Sequence, residues 1–155
     1  MTLLAVGRTE VSWVREGLEL YTSRLCHYVP FRVEEIPHLK GAGSMPESRI
    51  KEKEGEIILS KIRPGDYVVL LDEHGKEYRS VEFAKKVEAL VSRNSRDVVF
   101  VIGGAYGFSA PVYSRADESL SLSKMTFSHQ MVRTIFAEQL YRAFTILKGE
   151  PYHHE

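Results

Sequence analysis

The C-terminal pentapeptide Pro151-Tyr152-His153-His154-Glu155 concentrates side chains that can do chemistry. Imidazole is the group best placed to move a proton near neutral pH. A tyrosine can stack on a base or donate a hydrogen bond. A terminus that frays has no need of such residues. A solvated tail is the competing reading, and residue types alone leave the two level. Arg133 and Arg142 lie nine residues apart in a strongly helical stretch. Nine steps of about 100° put them on opposite sides of a helix, so at least one faces solvent or a partner. An ordinary surface charge is the plainer reading of either.

Three further segments carry polar or conformationally special residues. Ile102-Gly103-Gly104-Ala105-Tyr106-Gly107-Phe108-Ser109 has three glycines, which let a backbone bend sharply and approach a ligand closely. It matches neither G-x-G-x-x-G nor G-x-x-x-x-G-K-[ST], which weighs against a dinucleotide or phosphate loop. A tight strand-to-helix turn, with Ser109 and Pro111 opening a short helix, is the plainer reading. Leu70 to Lys76 contains Asp72, Glu73 and His74, an acid/base cluster or a turn, and His74-Gly75 before polar residues favours the turn. The third segment is Leu122-Ser123-Lys124-Met125-Thr126-Phe127-Ser128-His129. With no H-E-x-x-H and no Cys/His ligand spacing, no metal is expected. Cys26 reads as a small thiol, buried or half-buried, on the first helix.

The elements that must position these residues alternate along the chain. Thr2–Val6 reads as a first strand. Val11, Val14, Leu18, Tyr21 and Leu25 then mark one helical face. Phe31 to Ile36 suggests a second strand, 40–46 a loop, and 48–62 a helix with a Lys/Glu-rich exposed face. Tyr67–Leu71 and Val98–Ile102 are continuous apolar runs of the kind buried on both faces of a parallel sheet. Residues 81–91 make a crossover helix between them. Ser119–Ser123 is expected as the last strand and 129–147 as the last helix, with Gly149 and Pro151 stopping it. Strand–helix repetition of this kind means an α/β fold, a mostly parallel sheet flanked by helices. Ligands of such sheets bind beyond the carboxyl ends of the strands, where the loop segments above begin.

Composition bounds the function. The 155 residues predict one domain, 1–155. A hydrophobic content of 43% is enough for a core and argues against disorder. Lys+Arg and Asp+Glu both number 21, which argues against binding a polyanion through bulk charge. A basic surface, if one is needed, must be assembled by folding or oligomerisation. One cysteine excludes an internal disulfide framework and fits a reducing, cytoplasmic setting. No apolar run is long enough for a membrane span, and no signal peptide is seen, so no membrane partner is expected.

In order and at their separations, Leu-Leu-Asp72, Val-Ile-Gly-Gly-Ala-Tyr-Gly-Phe-Ser109, Leu-Ser-Leu-Ser-Lys-Met-Thr-Phe-Ser-His129, Val-Arg133, Glu138-Gln-Leu-Tyr-Arg-Ala143 and the terminal Pro-Tyr-His-His-Glu155 resemble one bacterial family. It is the ribosomal RNA large subunit methyltransferase H family, of the SPOUT class. The resemblance implies transfer of a methyl group from S-adenosyl-L-methionine to N3 of a pseudouridine in 23S rRNA of the ribosome. It implies a homodimer and a C-terminal deep trefoil knot that holds the cofactor. Cofactor contacts then fall on Leu71, Gly103, Gly104, Leu122, Ser123, Lys124, Met125, Thr126, Phe127 and Ser128, largely through backbone groups and apolar walls. His153 becomes the candidate base, Tyr152 a positioning group, and Arg142 a ligand for phosphate or a developing oxyanion. His129, Arg133 and His154 fall on the substrate side. Many members are expected to end Tyr-His-Arg-Glu, so His154 replaces a permanent cation here. A non-catalytic RNA- or ribosome-binding protein on the same scaffold is the competing reading.

Overall fold

The computed structural model describes residues 1–92 and 96–154. Glu155, the last residue of the terminal motif, lies outside them. The elements are β1 (Thr2–Val6), α1 (Ser12–Leu25), β2 (Arg32–Ile36), a 3-10 turn (Ala42–Ser44), α2 (Glu47–Lys61), β3 (Tyr67–Glu77), α3 (Ser80–Val91), β4 (Val98–Ile102), α4 (Ala110–Arg115), β5 (Glu118–Ser121) and α5 (Met131–Lys148). The strands form one sheet in the order β2-β1-β4-β3-β5, every neighbour parallel. The α/β expectation holds, with element ends shifted by one or two residues except in β3, which runs six residues past the expected Leu71.

The three central strands are covered on both faces, which explains their unbroken apolar runs. Alternate residues enter two cores. On one face Leu3, Ala5, Val69, Phe100 and Ile102 meet α1, α3 and α5 through Leu18, Phe83, Val87, Phe136 and Leu140. On the other, Leu4, Val6, Leu70, Val99 and Val101 meet α2 and α4 through Ile58 and Val112. Gly17 brings α1 close to α5: a Cβ there would lie 2.8 Å from Thr134 Cγ2.

The chain leaves β1 toward β2, and leaves adjacent β4 in the other direction, toward β5. Diverging exits open a crevice beyond the carboxyl ends of neighbouring strands. Gly7, Gly103 and Gly104 stand at that rim.

Two expectations need correction. Asp72–Gly75 does not end β3 as a turn. The strand makes an irregular excursion there and resumes pairing, so that both Leu71 and Lys76 stand opposite Leu120 of β5. Gly75 permits this crossing, because a Cβ would sit 2.6 Å from the Leu120 backbone nitrogen. Cys26 is exposed, since it caps α1 where the chain leaves the core.

Candidate functional site

Beyond the ends of β3 and β4 lies a cleft of about 990 Å³. Its walls are Leu71–His74, the glycine-rich segment 102–108, the loop 122–129, and Glu47, Ser48 and Lys51 of α2. The structure therefore brings together Leu71, Gly103, Gly104, Leu122, Ser123, Met125, Thr126, Phe127 and Ser128. Lys124 is exposed and does not line the cleft. His129 lines it too, and burial, with Arg133 and His38 nearby, lowers its pKa toward the neutral ring.

The loop after β5 is held by few bonds. Met125 N–H donates to Ser123 Oγ at 2.9 Å, and Thr126 Oγ1 donates to Glu73 Oε2 at 2.8 Å. Ser128 Oγ accepts from Met131 N–H at 3.1 Å, and so supports the start of α5. Met125 is 73% exposed. The Asp72 region, read above as a turn, braces the opposite wall. Asp72 accepts hydrogen bonds from the Tyr113 hydroxyl and from His74 N–H. Burial opposes ionisation of Asp72, but those bonds outweigh it and its pKa lies below the usual carboxylate value. Burial and the Asp72 carboxylate push Tyr113 up to about 12.

The glycines have distinct reasons. Gly107 adopts φ +76°, a left-handed conformation that favours glycine. Gly103 packs on the Phe108 ring. Gly104 faces the buried carboxyl of Glu54, and a Cβ there would stand 2.3 Å from Glu54 Oε2. Residues 48–62 read as a helix with a Lys/Glu-rich exposed face, yet Glu54 is buried. Its spacing of four from both Ile50 and Ile58 was the signal that it lies on the buried stripe.

Arg133 corrects the substrate-side expectation. It is fully buried. Its Nη2 donates to Val6 O at 2.7 Å, Nε to His129 O at 2.9 Å and Nη1 to Thr9 Oγ1 at 2.8 Å, with Glu35 Oε1 3.4 Å from Nη1. The guanidinium fork ties the end of β1 to the start of α5. It has no surface to offer a nucleic acid. Its position on the stripe continued by Ala137, Leu140 and Phe144 carried this information.

The tail residues form a separate cluster. Glu138 Oε1 accepts from Arg142 Nη2 at 2.6 Å and from the Tyr152 hydroxyl at 3.0 Å. The Arg142 guanidinium lies 4.8 Å from the Tyr152 ring centre, and its Nη1 lies 3.5 Å from His153 Nδ1. Tyr152 packs edge-on against Tyr141 and lies 3.3 Å, hydroxyl to hydroxyl, from Tyr21. Burial, with these bonds, raises the Tyr152 pKa, so the phenol keeps its proton. Glu138, the first residue of the Glu138–Ala143 motif, joins the arginine to the tyrosine. His154 is exposed. Tyr152, His153, His154 and Arg142 do not line the cleft. The cleft meets α5 at Val132 in its first turn, whereas the tail folds back onto Glu138, Tyr141 and Arg142; six to ten residues at about 1.5 Å rise put the two roughly 9–15 Å apart along the helix.

Among the described residues, no group of three or more His, Cys, Asp or Glu could hold a metal ion. No described helix is long and apolar enough to cross a membrane. A parallel α/β sheet with loops from its strand ends around a ligand-sized cleft defines a class, and a family profile described as "Predicted SPOUT methyltransferase" matches residues 1–153. Three proteins named "Ribosomal RNA large subunit methyltransferase H" are similar over nearly the whole length. That of Parabacteroides distasonis is 52% identical, covering 99% of this chain and 98% of that protein. That of Bacteroides fragilis is 54% identical, with the same shares, and that of Flavobacterium johnsoniae 49%, again with the same shares. The chain belongs to the SPOUT methyltransferases and, within them, to the ribosomal RNA large subunit methyltransferase H family.

Proposed function

We propose that the chain methylates N3 of a pseudouridine in 23S rRNA on the assembled ribosome, using S-adenosyl-L-methionine. It acts as a cytoplasmic homodimer of one SPOUT domain, 1–155, whose C-terminal part is a deep trefoil knot. The observation that carries the reading is the convergence of three separate segments, 71–74, 102–108 and 122–129, on one cleft. The relatives, ribosomal RNA methyltransferases by name, supply the substrate class.

The cleft suits the methyl donor. Glycine-rich backbone and the 122–129 loop offer N–H and C=O groups to a base edge, while Leu122, Met125 and Phe127 offer apolar walls. When bound, the donor carries an electrophilic methyl group on a sulfonium. The protein's task is then positioning and removal of a proton, because an N3–H imide is a poor nucleophile until it ionises. His153 takes the proton, Arg142 stabilises the negative charge that develops, and Tyr152 orients the base.

That Arg142, Tyr152, His153 and His154 do not line the cleft of their own protomer supports a dimer, in which one protomer's tail completes its partner's cleft. Exposed apolar residues on and beside α1, Val11, Trp13 and Leu20, offer surface for such a contact. The test is mass spectrometry of 23S rRNA from a strain lacking the gene, with and without its restoration. The reading expects one pseudouridine to lose its methyl group and regain it. An unchanged nucleoside refutes it. Methylation by mixed dimers, one protomer lacking the tail and the other carrying a cleft substitution, tests the shared site.

A further inference from the structure

Four carboxyl groups stand on the cleft wall or directly behind it. Asp72 accepts from Tyr113 and His74, Glu73 accepts from Thr126, and Glu47 heads α2 in solvent. Glu54 differs from all three. It is 7% exposed, and its enclosed Oε2 accepts no hydrogen bond among the described residues. Burying a carboxylate with no partner is costly, so either a proton or a cation must offset it.

The surroundings narrow what that cation is. His38, after β2, is the basic side chain whose electrostatic effect opposes the burial of Glu54. Lys51, one turn earlier on α2, lines the cleft and engages no acid among the described residues. The segments packed against Glu54 from the other side bring Gly104 and, beside Gly55, Ser109, neither of them ionisable. Gly104 has no positive φ, so its torsions admit any residue; the Glu54 carboxyl is what excludes a side chain there. Glu54 itself does not line the cleft; its unpartnered carboxyl packs directly behind Gly104, which does.

We infer that Glu54 is the counter-charge for a cationic group of the methyl donor, filling in the bound state the ion pair it lacks in the free protein. The inference rests on the cleft being the S-adenosyl-L-methionine site, since it needs a donor bearing positive charge. That donor has two such groups, the sulfonium and the α-ammonium. Burial pushes the Glu54 pKa up, against the opposing effect of His38, and so favours the protonated acid while the cleft is empty. An arriving cation favours the carboxylate, and the proton passes to the buffer.

Calorimetry on the full chain and on Glu54→Gln tests this, with S-adenosyl-L-methionine, S-adenosylhomocysteine and methylthioadenosine as probes. The variant should bind S-adenosyl-L-methionine about tenfold or more weakly, the size expected for a charged hydrogen-bond partner. Methylthioadenosine, with neither cation, should bind both proteins within about twofold. S-adenosylhomocysteine retains only the ammonium: its loss assigns the contact to that group, and its retention assigns it to the sulfonium. In the wild type, the binding heat should vary with the buffer's ionisation enthalpy in the sense of proton release. Unchanged S-adenosyl-L-methionine affinity in the variant overturns the inference, as does an equal loss for methylthioadenosine. Should the variant not fold, wild-type binding without proton release overturns it. Failure of the wild type to bind S-adenosyl-L-methionine at all would instead overturn the donor reading, and this inference with it.

Discussion

The cleft meets the first turn of α5, the tail cluster packs on its middle, and the two are built in opposite ways. The cleft is walled by backbone and apolar groups, and single hydrogen bonds such as Thr126 to Glu73 hold its outer loop. Its polar capacity stays open for a ligand. The tail arranges its side chains against one another: Glu138 receives both Arg142 and Tyr152, and Tyr21 and Tyr141 pack around the phenol. That cluster is organised before any substrate arrives, as fixed electrostatic groups in a catalytic site should be. One region leaves its polar groups uncommitted; the other commits them to one another.

The division has a sharp test in turnover against donor affinity. His153→Ala should lower methyl transfer by about 100-fold or more, the usual scale for a lost general base. Tyr152→Phe should cost less, because the ring packing survives. Donor affinity measured by calorimetry should be unchanged in both. Equal losses of turnover and donor binding would mean that the tail merely supports the cleft. The next effect is on stability. Arg133→Ala leaves Val6 O, His129 O and Thr9 Oγ1 without their donor inside the fold, at a cost of about 3 kcal/mol. In a domain of this size the melting temperature should fall by about 6–12 °C. A variant that melts normally and loses only RNA affinity would return Arg133 to the substrate side. Smaller again is Thr126→Ala. Losing one neutral-to-carboxylate bond on the outer loop should weaken donor binding by about fivefold, or about 1 kcal/mol, with the melting temperature little moved. A large drop in melting temperature would show that the loop is part of the core.

The two regions were also unequally legible in sequence. Two of the three cleft segments follow the apolar runs of β3 and β4, so their place at the sheet's edge could be read from order alone. The tail could be read as chemistry but not located, since nothing in a pentapeptide says which helix face receives it. Misreadings fell on charged residues inside apolar stripes. Residue type makes Arg133 a surface charge by default and hides Glu54 within a Lys/Glu-rich helix, although their spacing puts both in the core. The Asp72–Gly75 excursion was missed for a different reason. Turn residues mark a bend, but only the pairing on both sides with Leu120 shows that the strand continues.

Withdrawing Arg133 from the surface sharpens the smallest expected effect, the salt dependence of RNA binding. A balanced chain has no bulk positive field, and Arg142 is already paired with Glu138 at 2.6 Å. On α2, Arg49 is paired with Glu52, so that helix brings Lys51 to the cleft rim as a cation without an acid partner among the described residues. Few phosphates can then be neutralised at each cleft, even when a dimer doubles the set. The slope of log K against log salt should be about −3 or shallower, against about −10 for a strongly basic binder, with Lys51→Ala reducing it by about one unit. A steep slope that Lys51→Ala leaves intact would place the RNA on a basic surface away from the cleft. The contrast between an open cleft and a committed tail would then describe the chemistry alone, with recognition housed in a third region.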